Sequence, residues 1–246
     1  MFEVHWLAPT LLRTQRNRQS LVHCFSTANR PIQSRKKIPV SHHLFAPPVN
    51  SLWKSKFDAF NHMQSEISNM LAHTDDNLVV SAPTGAGKTA VFEMAMARFF
   101  QVDLQQPNHP YRSRQVSKHR KIVYVSPSKA LCEERFEDWS RRIREMNLGI
   151  HLSLITGDGD PGEAYADLSS SQLVLTTPEK WDSMTRRWTE NFYLFATVKL
   201  LLVDEVHLIA ADSRGYTLES IICKMKSIYR ATQNLSTSHD EIRESR

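Results

Sequence analysis

The sequence predicts an α/β fold in which a mainly parallel sheet is covered by helices on both faces. Short apolar segments alternate along the chain with longer segments of helical periodicity, and this alternation is typical of parallel sheets. The predicted strands are 78–80, 122–125, 150–155, 172–175 and 200–203. The predicted helices are 57–71, 88–100, 129–146, 178–187 and 217–231. The strands then end at one edge of the sheet, where folds of this class bind their ligands.

The composition is that of a folded protein, because 41% of the 246 residues are hydrophobic and 23% are charged. That apolar fraction can form a core, and the longest apolar runs are far shorter than the ~18–20 residues that a membrane span needs. We therefore expect no membrane partner. Cys24, Cys132 and Cys223 are widely spaced and form no C-x-x-C pair. We expect a reduced intracellular protein with neither a disulfide framework nor a zinc cluster.

The net charge of +5 is concentrated at the start of the chain. Residues 1–50 hold seven Lys or Arg, one acidic residue and five prolines without a sustained period, so we expect a largely disordered basic leader. Residues 52–232 are expected to form the domain, 103–121 a surface insertion and 233–246 a polar tail. For the leader, a solvated tail, a mitochondrial transit peptide and a nuclear signal at 35–37 remain alternatives.

The octapeptide 82–89 joins a predicted strand to a predicted helix and contains two of the chain's seven glycines. Gly85 and Gly87 let backbone N–H groups point inward as an anion nest, and the helix N-terminus adds unpaired donors and its positive dipole end. Lys88 supplies a charge for the β- and γ-phosphates, and Thr89 a hydroxyl for Mg²⁺. The predicted nucleotide site comprises Ala82, Pro83, Thr84, Gly85, Ala86, Gly87, Lys88 and Thr89. Ala82 stands where the general phosphate-loop pattern has glycine.

A second acidic motif, Asp204-Glu205-Val206-His207, comes directly after the predicted strand 200–203. Carboxylates at the carboxyl end of a buried parallel strand lie at the ligand-binding edge. Asp204 can hold Mg²⁺, and Glu205 can orient and deprotonate an attacking water. An Asp-Glu pair alone is commonly a helix-capping feature, but together with the upstream loop it predicts nucleotide hydrolysis.

These motifs resemble motifs I and II of superfamily 2 DExH-box helicases, in which alanine at the first loop position is normal. Segment 57–65 resembles the adenine-reading Q motif of that family, 126–131 resembles motif Ia, and 176–182 resembles motif Ib. The last of these is typical of the Ski-like branch. Within that branch, three segments look most like the meiotic crossover-promoting helicases, namely 132–139, 183–188 and 214–219. The resemblance covers about 52–231.

The resemblance implies a RecA-like P-loop domain that binds ATP and Mg²⁺. It implies that Gln64 hydrogen-bonds the adenine edge, that Phe57 packs against the ring, and that His207 couples the ATP site to a second motor domain. It also implies contacts with the nucleic-acid backbone for Pro127, Lys129, Thr177 and Lys180. Trp139, Trp181 and Trp188 are expected in the core or at an interface, and 141–144 on a solvated helix face.

By the same resemblance, the activity is ATP-dependent 3′-to-5′ DNA unwinding in meiotic recombination, in the nucleus or, alternatively, the mitochondrion. An RNA-acting spliceosomal-type helicase and a non-enzymatic nucleotide-binding fragment remain alternatives, because backbone contacts do not separate DNA from RNA. Such helicases hold ATP between two RecA-like domains, and the second supplies arginines for the transition state. No motif of that kind follows His207. We therefore expect a first motor domain whose 246 residues do not unwind duplexes alone.

Overall fold

A computed structural model describes residues 2–7, 22–26, 38–39, 45, 47–54, 59–74, 76–104, 119–157, 159–210 and 215–244. The described strands are β1 (Phe2–Leu7), β2 (Val22–Ser26), β3 (Ile38–Pro39), β4 (Ala59–Phe60), β5 (Asn77–Ala82), β6 (Lys121–Val125), β7 (Leu152–Ile155), β8 (Leu173–Thr176) and β9 (Val198–Val203). The described helices are α1 (Ser51–Lys54), α2 (His62–His73), α3 (Lys88–Leu104), α4 (Lys129–Met146), α5 (Pro161–Ser170), α6 (Pro178–Thr185), α7 (Phe192–Ala196) and α8 (Gly215–Glu244), with a 3₁₀ turn at Val206–Ala210.

Seven of the described strands form one sheet in the order β2-β5-β1-β9-β6-β8-β7. The strands β9, β6, β8 and β7 are mutually parallel, and β2 is parallel to β5. The strand β1 lies antiparallel between β5 and β9. The predicted α/β fold with a mainly parallel sheet is confirmed.

Both faces of the sheet are buried, because alternate residues of its central strands enter two different hydrophobic cores. In β6, Ile122 and Tyr124 join the core that contains α2, α3 and α4. Val123 and Val125 join the opposite core, which contains α5, α6 and α8. Successive side chains of a strand point to opposite faces, so a continuous apolar run is required where helices cover both.

Two helices near the middle of the chain depart from the predicted elements. The helix α2 begins at His62 instead of residue 57, because Asn61 caps it. The helix α5 is absent from the predicted elements, because the three glycines of 157–162 favour a turn over a helix. Its start nevertheless carries a helix signal, because Asp160 caps it and Pro161 occupies its first turn.

The ends of the chain also contain more regular structure than the sequence predicts. Within the leader, β1 and β2 are strands of the sheet, and residues 2–6 alternate apolar and polar types over a span too short to stand out among the prolines. The helix α8 continues through most of the predicted polar tail. The central part of the predicted insertion, 105–118, lies outside the described residues.

Trp139 and Trp181 are fully buried in the two cores, as predicted, and the half-buried Trp188 packs against the second core.

The prediction that 141–144 forms a solvated helix face is wrong for Arg142. This arginine is 2% exposed, and its Nη2 donates to Glu93 Oε1 of α3 at 2.5 Å. Burial acts against its charge, but the Glu93 and Asp138 carboxylates raise the Arg142 pKa. Arg142 therefore joins α4 to α3 across the core.

Within the described ranges, no helix combines the length and apolar character that crossing a bilayer requires.

Cys132 and Cys223 carry free thiols. The Cys132 thiol is buried and donates to the Thr176 carbonyl at 3.2 Å, and burial raises its pKa to about 11. The thiol therefore stays protonated at neutral pH and has little nucleophilic character.

Candidate active site

The phosphate loop connects the end of β5 to the start of α3, as the sequence predicts. Gly85 and Gly87 adopt positive φ values of 78° and 84°, a conformation that side-chain-bearing residues rarely adopt. A Cβ atom at Gly87 would lie 2.3 Å from Gln64 Nε2, whereas one at Gly85 would meet nothing within 4 Å. Gly87 therefore combines a backbone conformation that favours glycine with a close approach of the Gln64 amide, and the loop is open at Gly85.

The Lys88 ammonium has a hydrogen-bond partner within the loop. Its Nζ donates to the Ala82 carbonyl at 3.0 Å, across the loop. Such a bond holds the charge over the backbone nest. A phosphate oxygen can replace this neutral carbonyl acceptor with a stronger, charge-assisted one.

Asn61 and Gln64 fasten the start of α2 to the phosphate loop. The two residues form a reciprocal capping box, in which each side chain accepts from the other's backbone N–H at 2.9 and 3.0 Å. Asn61 Nδ2 donates to the Ala86 carbonyl at 3.0 Å, and Gln64 Nε2 donates to the Gly87 carbonyl at 3.2 Å. The Gln64 amide keeps one N–H and one lone pair for a ligand. Phe57, predicted to pack on adenine, lies outside the described residues.

The predicted acidic motif begins directly after β9. The Asp204 backbone N–H donates to the Val125 carbonyl at 2.9 Å, which fixes the start of the motif against the end of β6. Its carboxylate receives two donors: the Tyr124 hydroxyl at 2.7 Å and the Glu205 backbone N–H at 2.9 Å. Burial, together with the Asp204 charge, raises the Tyr124 pKa well above its ordinary value. The Tyr124 hydroxyl therefore remains a donor.

Glu205 sits in a strained backbone position beside His207. Its φ of +52° lies in the left-handed region, which costs free energy for a non-glycine residue. His207 Nδ1 lies 3.1 Å from Glu205 Oε2. The turn thus presents the Glu205 carboxylate at the carboxyl edge of the sheet and places an imidazole against it.

The strand register places the acidic motif and the phosphate loop at the same edge. One residue of β1 pairs with both Val79 of β5 and Val203 of β9, so these two residues lie at one level. Asp204 is then level with Val80, just below the loop. Because β5 and β9 are two strand spacings apart, their backbones are separated by about 9–10 Å. The loop and the acidic motif therefore lie at one edge of the sheet, on either side of β1.

The residues at this edge fit ATP with Mg²⁺. The open side of the loop at Gly85 admits phosphate, and Lys88 carries the compensating charge. The Thr89 hydroxyl and the Asp204 carboxylate are oxygen ligands, which Mg²⁺ prefers, and two protein ligands leave positions for water and phosphate oxygens. The described residues contain no group of three or more His, Cys, Asp or Glu side chains that could hold a metal by themselves.

The four residues predicted to contact nucleic acid lie at the same edge, after β6 and β8. Lys129 is exposed and lies 3.8 Å from Glu133 one helical turn later. Lys180 Nζ donates to the Gly159 carbonyl at 3.2 Å, which ties α6 to the glycine-rich turn after β7. Pro127 is half-buried, and the Thr177 side chain does not cap α6 although Thr177 precedes it. The fold therefore places these residues at the sheet edge that also carries the phosphate loop and the acidic motif.

Sequence reasoning missed Asn61 and Tyr124 as parts of the site. Asn61 could have been found, because an Asn followed three residues later by Gln is the signature of a capping box. Tyr124 carries no such signal, since it stands inside an apolar strand. Its hydroxyl meets Asp204, which is 80 residues away in the sequence.

A family model of the DEAD/DEAH box helicases matches residues 61–241 of the chain. The chain is 38% identical over 187 residues to the probable ATP-dependent DNA helicase HFM1 of Homo sapiens, covering 76% of the chain and 12% of that protein. It is 39% identical over 186 residues to the DExH-box ATP-dependent RNA helicase DExH14 of Arabidopsis thaliana, covering 75% of the chain and 8% of that protein. The chain thus spans a small part of the curated relatives it matches.

A solved structure of the helicase Lhr from Mycobacterium smegmatis, bound to ssDNA and AMP-PNP, is similar to this chain with a TM-score of 0.54 and 25% identity. The likeness covers 76% of this chain and 23% of Lhr. The predicted RecA-like architecture is confirmed. The family match extends from the cap of α2 to α8 and includes the phosphate loop and the acidic motif. The chain therefore belongs to the DEAD/DEAH box helicases.

Proposed function

We propose that this chain is the ATP-binding motor domain of an ATP-dependent 3′-to-5′ DNA helicase that acts in meiotic recombination in the nucleus. The observation that carries the proposal is that the phosphate loop and the Asp204-Glu205 pair lie at one edge of the sheet, on strands that flank β1. The assignment to DNA is supported by the identity to the probable ATP-dependent DNA helicase HFM1. The assignment to meiotic recombination is supported by segments such as 132–139, which resemble the meiotic group.

In the proposed binding step, the triphosphate lies along the loop between β5 and α3. Lys88 exchanges its bond to the Ala82 carbonyl for phosphate oxygens, and backbone N–H groups around Gly85 and Gly87 donate to the same anion. Thr89 and Asp204 would hold Mg²⁺, which neutralises charge on the β- and γ-phosphates when bound. Gln64 would use its remaining donor and acceptor for the adenine edge.

In the proposed hydrolysis step, Glu205 accepts a proton from water as the water oxygen attacks the γ-phosphorus. The bond from that phosphorus to the β–γ bridging oxygen breaks, and ADP leaves with its electron pair. His207 Nδ1 lies 3.1 Å from the Glu205 carboxylate, and His207 would couple this base to a second motor domain. These are proposed roles for the two residues.

For the nucleic acid, Pro127, Lys129, Thr177 and Lys180 are proposed to contact the backbone. Their position on the loops after β6 and β8 supports this role, because the same edge carries the nucleotide. The second candidate function is an RNA helicase, which the identity to DExH14 favours. A nucleotide-binding fragment without enzymatic activity is the third reading. Residues that contact only phosphates do not distinguish DNA from RNA.

The proposed site is tested by titrating purified residues 1–246 with a fluorescent N-methylanthraniloyl-ATP in MgCl₂. Lys88→Ala is expected to weaken binding by at least about tenfold, or about 1.4 kcal/mol, with little change in thermal melting. Glu205→Gln is the matched control, since it removes the proposed base but touches no phosphate group, and its affinity should stay near that of wild type. Unchanged affinity for Lys88→Ala would contradict the phosphate-loop assignment.

Steady-state ATP hydrolysis and strand displacement test the proposed enzymatic activity of residues 1–246. Residues 1–246 alone are expected to hydrolyse ATP at a near-background rate, because arginines supplied in trans contribute ~10³–10⁵ in rate. Turnover on the order of 1 s⁻¹, an ordinary enzyme rate, would overturn that expectation. Binding of labelled single-stranded DNA and RNA of one sequence, with AMP-PNP present, tests whether contacts beyond the phosphates favour DNA. Tighter binding of RNA than of DNA would contradict the DNA assignment.

A further inference from the structure

The Asp204 carboxylate is held by donors on both of its oxygens. The Tyr124 hydroxyl donates to Oδ2 at 2.7 Å, and the Glu205 backbone N–H donates to Oδ1 at 2.9 Å. Two donors on opposite oxygens fix the rotation of the carboxylate plane, which a single bond does not. Each carboxylate oxygen keeps a further lone pair for another ligand.

Tyr124 is itself immobile, because two helices enclose its ring. The residue is fully buried. Phe92 of α3 meets the ring edge-on at 5.4 Å between centroids, and Trp139 of α4 does so at 4.9 Å. Edge-to-face pairs of this kind favour one ring orientation. The hydroxyl therefore reaches Asp204 from a fixed position, and not as a mobile surface group.

The same ring joins the two residues that fit Mg²⁺. Phe92 stands three residues after Thr89 on α3, so the two lie on neighbouring positions of one helix face. Tyr124 thus contacts the Thr89 helix through its ring and Asp204 through its hydroxyl. A shift of α3 relative to β9 would alter the hydrogen bond between the Tyr124 hydroxyl and Asp204.

We propose that Tyr124 is a positioning residue for Mg²⁺, which orients the Asp204 carboxylate relative to the phosphate-loop helix. The inference rests on the proposed function, since it needs Asp204 to hold the ion that accompanies ATP. Groups that hydrogen-bond a metal-binding side chain typically change metal affinity by about 10–100-fold when they are removed. The hydroxyl of Tyr124 is such a group, and its aromatic ring supplies the packing.

The test measures how Mg²⁺ alters the affinity of residues 1–246 for N-methylanthraniloyl-ATP. Tyr124→Phe keeps the ring and removes the hydroxyl. It is expected to raise the MgCl₂ concentration at half effect by about tenfold or more, with unchanged nucleotide affinity in EDTA. Tyr165→Phe is the matched control, because the Tyr165 hydroxyl donates to the Met184 carbonyl at 3.1 Å, away from the acidic motif. Its Mg²⁺ midpoint should equal that of wild type.

Asp204→Asn separates failure of the inference from failure of the proposed function. If this variant shifts the Mg²⁺ midpoint and Tyr124→Phe does not, the site stands and the positioning role is overturned. Equal loss of affinity in EDTA and MgCl₂ for Tyr124→Phe would reduce Tyr124 to a packing residue and overturn the inference. If Asp204→Asn leaves the Mg²⁺ response unchanged, the proposed metal site fails and the inference fails with it.

Discussion

Arg142→Met is expected to destabilise the domain strongly, because it removes a cation that stands between buried groups. Arg142 donates to Glu93 Oε1, to Asp138 Oδ1 at 3.2 Å and to the Leu52 carbonyl. Methionine keeps the apolar stem but leaves the Glu93 carboxylate, 1% exposed, without this cation. Removing one member of a buried ion pair costs about 3–5 kcal/mol. Since a domain is stable by about 5–15 kcal/mol, the variant should be near its limit of folding.

Urea unfolding followed by tryptophan fluorescence measures this loss as a lower midpoint at constant slope. Arg141→Met is the matched control, because the neighbouring Arg141 side chain is 73% exposed, and we expect a change within about 0.5 kcal/mol. The double variant Glu93→Gln, Arg142→Met should recover part of the loss, since position 93 then carries no charge that needs this cation. If Arg142→Met falls within about 1 kcal/mol of Arg141→Met, the buried network contributes no more than a surface pair.

The buried side chains of Lys121 and Asp182 should make the free energy of unfolding depend on pH, one at alkaline and the other at acidic pH. Lys121 donates to the Ser169 and Ser171 carbonyls at 2.8 and 2.6 Å, and burial lowers its pKa to about 8. Because the folded protein loses this proton before the unfolded chain does, the stability advantage of wild type over Lys121→Met should grow by up to about 3 kcal/mol between pH 8 and 10.5. The free energy of unfolding is measured in urea, and a constant difference between wild type and Lys121→Met from pH 8 to 10.5 would refute this expectation. Burial opposes the Asp182 charge, yet hydrogen bonds from Lys224 and Ser220 lower its pKa. The advantage of wild type over Asp182→Asn should thus be full above about pH 5 and shrink below about pH 4, and calorimetric melting points that change in parallel would contradict it.

The parts of the molecule that the sequence predicts well are those whose cause is local. The phosphate loop is such a part, because two glycines, a lysine and a threonine within eight residues carry the geometry and the charge. The acidic motif is another, since a carboxylate directly after an apolar strand is placed at the ligand edge by the strand itself. The strands of the central sheet follow for the same reason, as apolar runs between helical segments.

The contacts that hold the site in place are non-local, and the sequence does not predict them. Arg142 resembles Arg141 in type and stands beside it, and only the packing of α4 on α3 makes one buried and the other exposed. The Tyr124 hydroxyl contacts Asp204 because β6 and β9 are neighbours in the sheet. The order of strands in a sheet cannot be predicted from the residues of a single segment. For α5 the cause is local but ambiguous, since the glycines of 157–162 favour a turn whereas Asp160 and Pro161 start a helix.

The helix α3 connects these non-local contacts to the chemistry. Its first turn carries Lys88 and Thr89, while Phe92 packs on Tyr124 and Glu93 binds Arg142 and Trp139 in the next. A site that must stabilise developing charge works best when its polar groups are fixed before the reaction, since then none has to reorganise during it. The buried contacts of α3 provide that fixation for the lysine and the threonine, and the Tyr124 bond extends it to Asp204. Rigidity of the phosphate-loop helix, and not of the exposed loop itself, is therefore what the core of this domain supplies to its proposed active site.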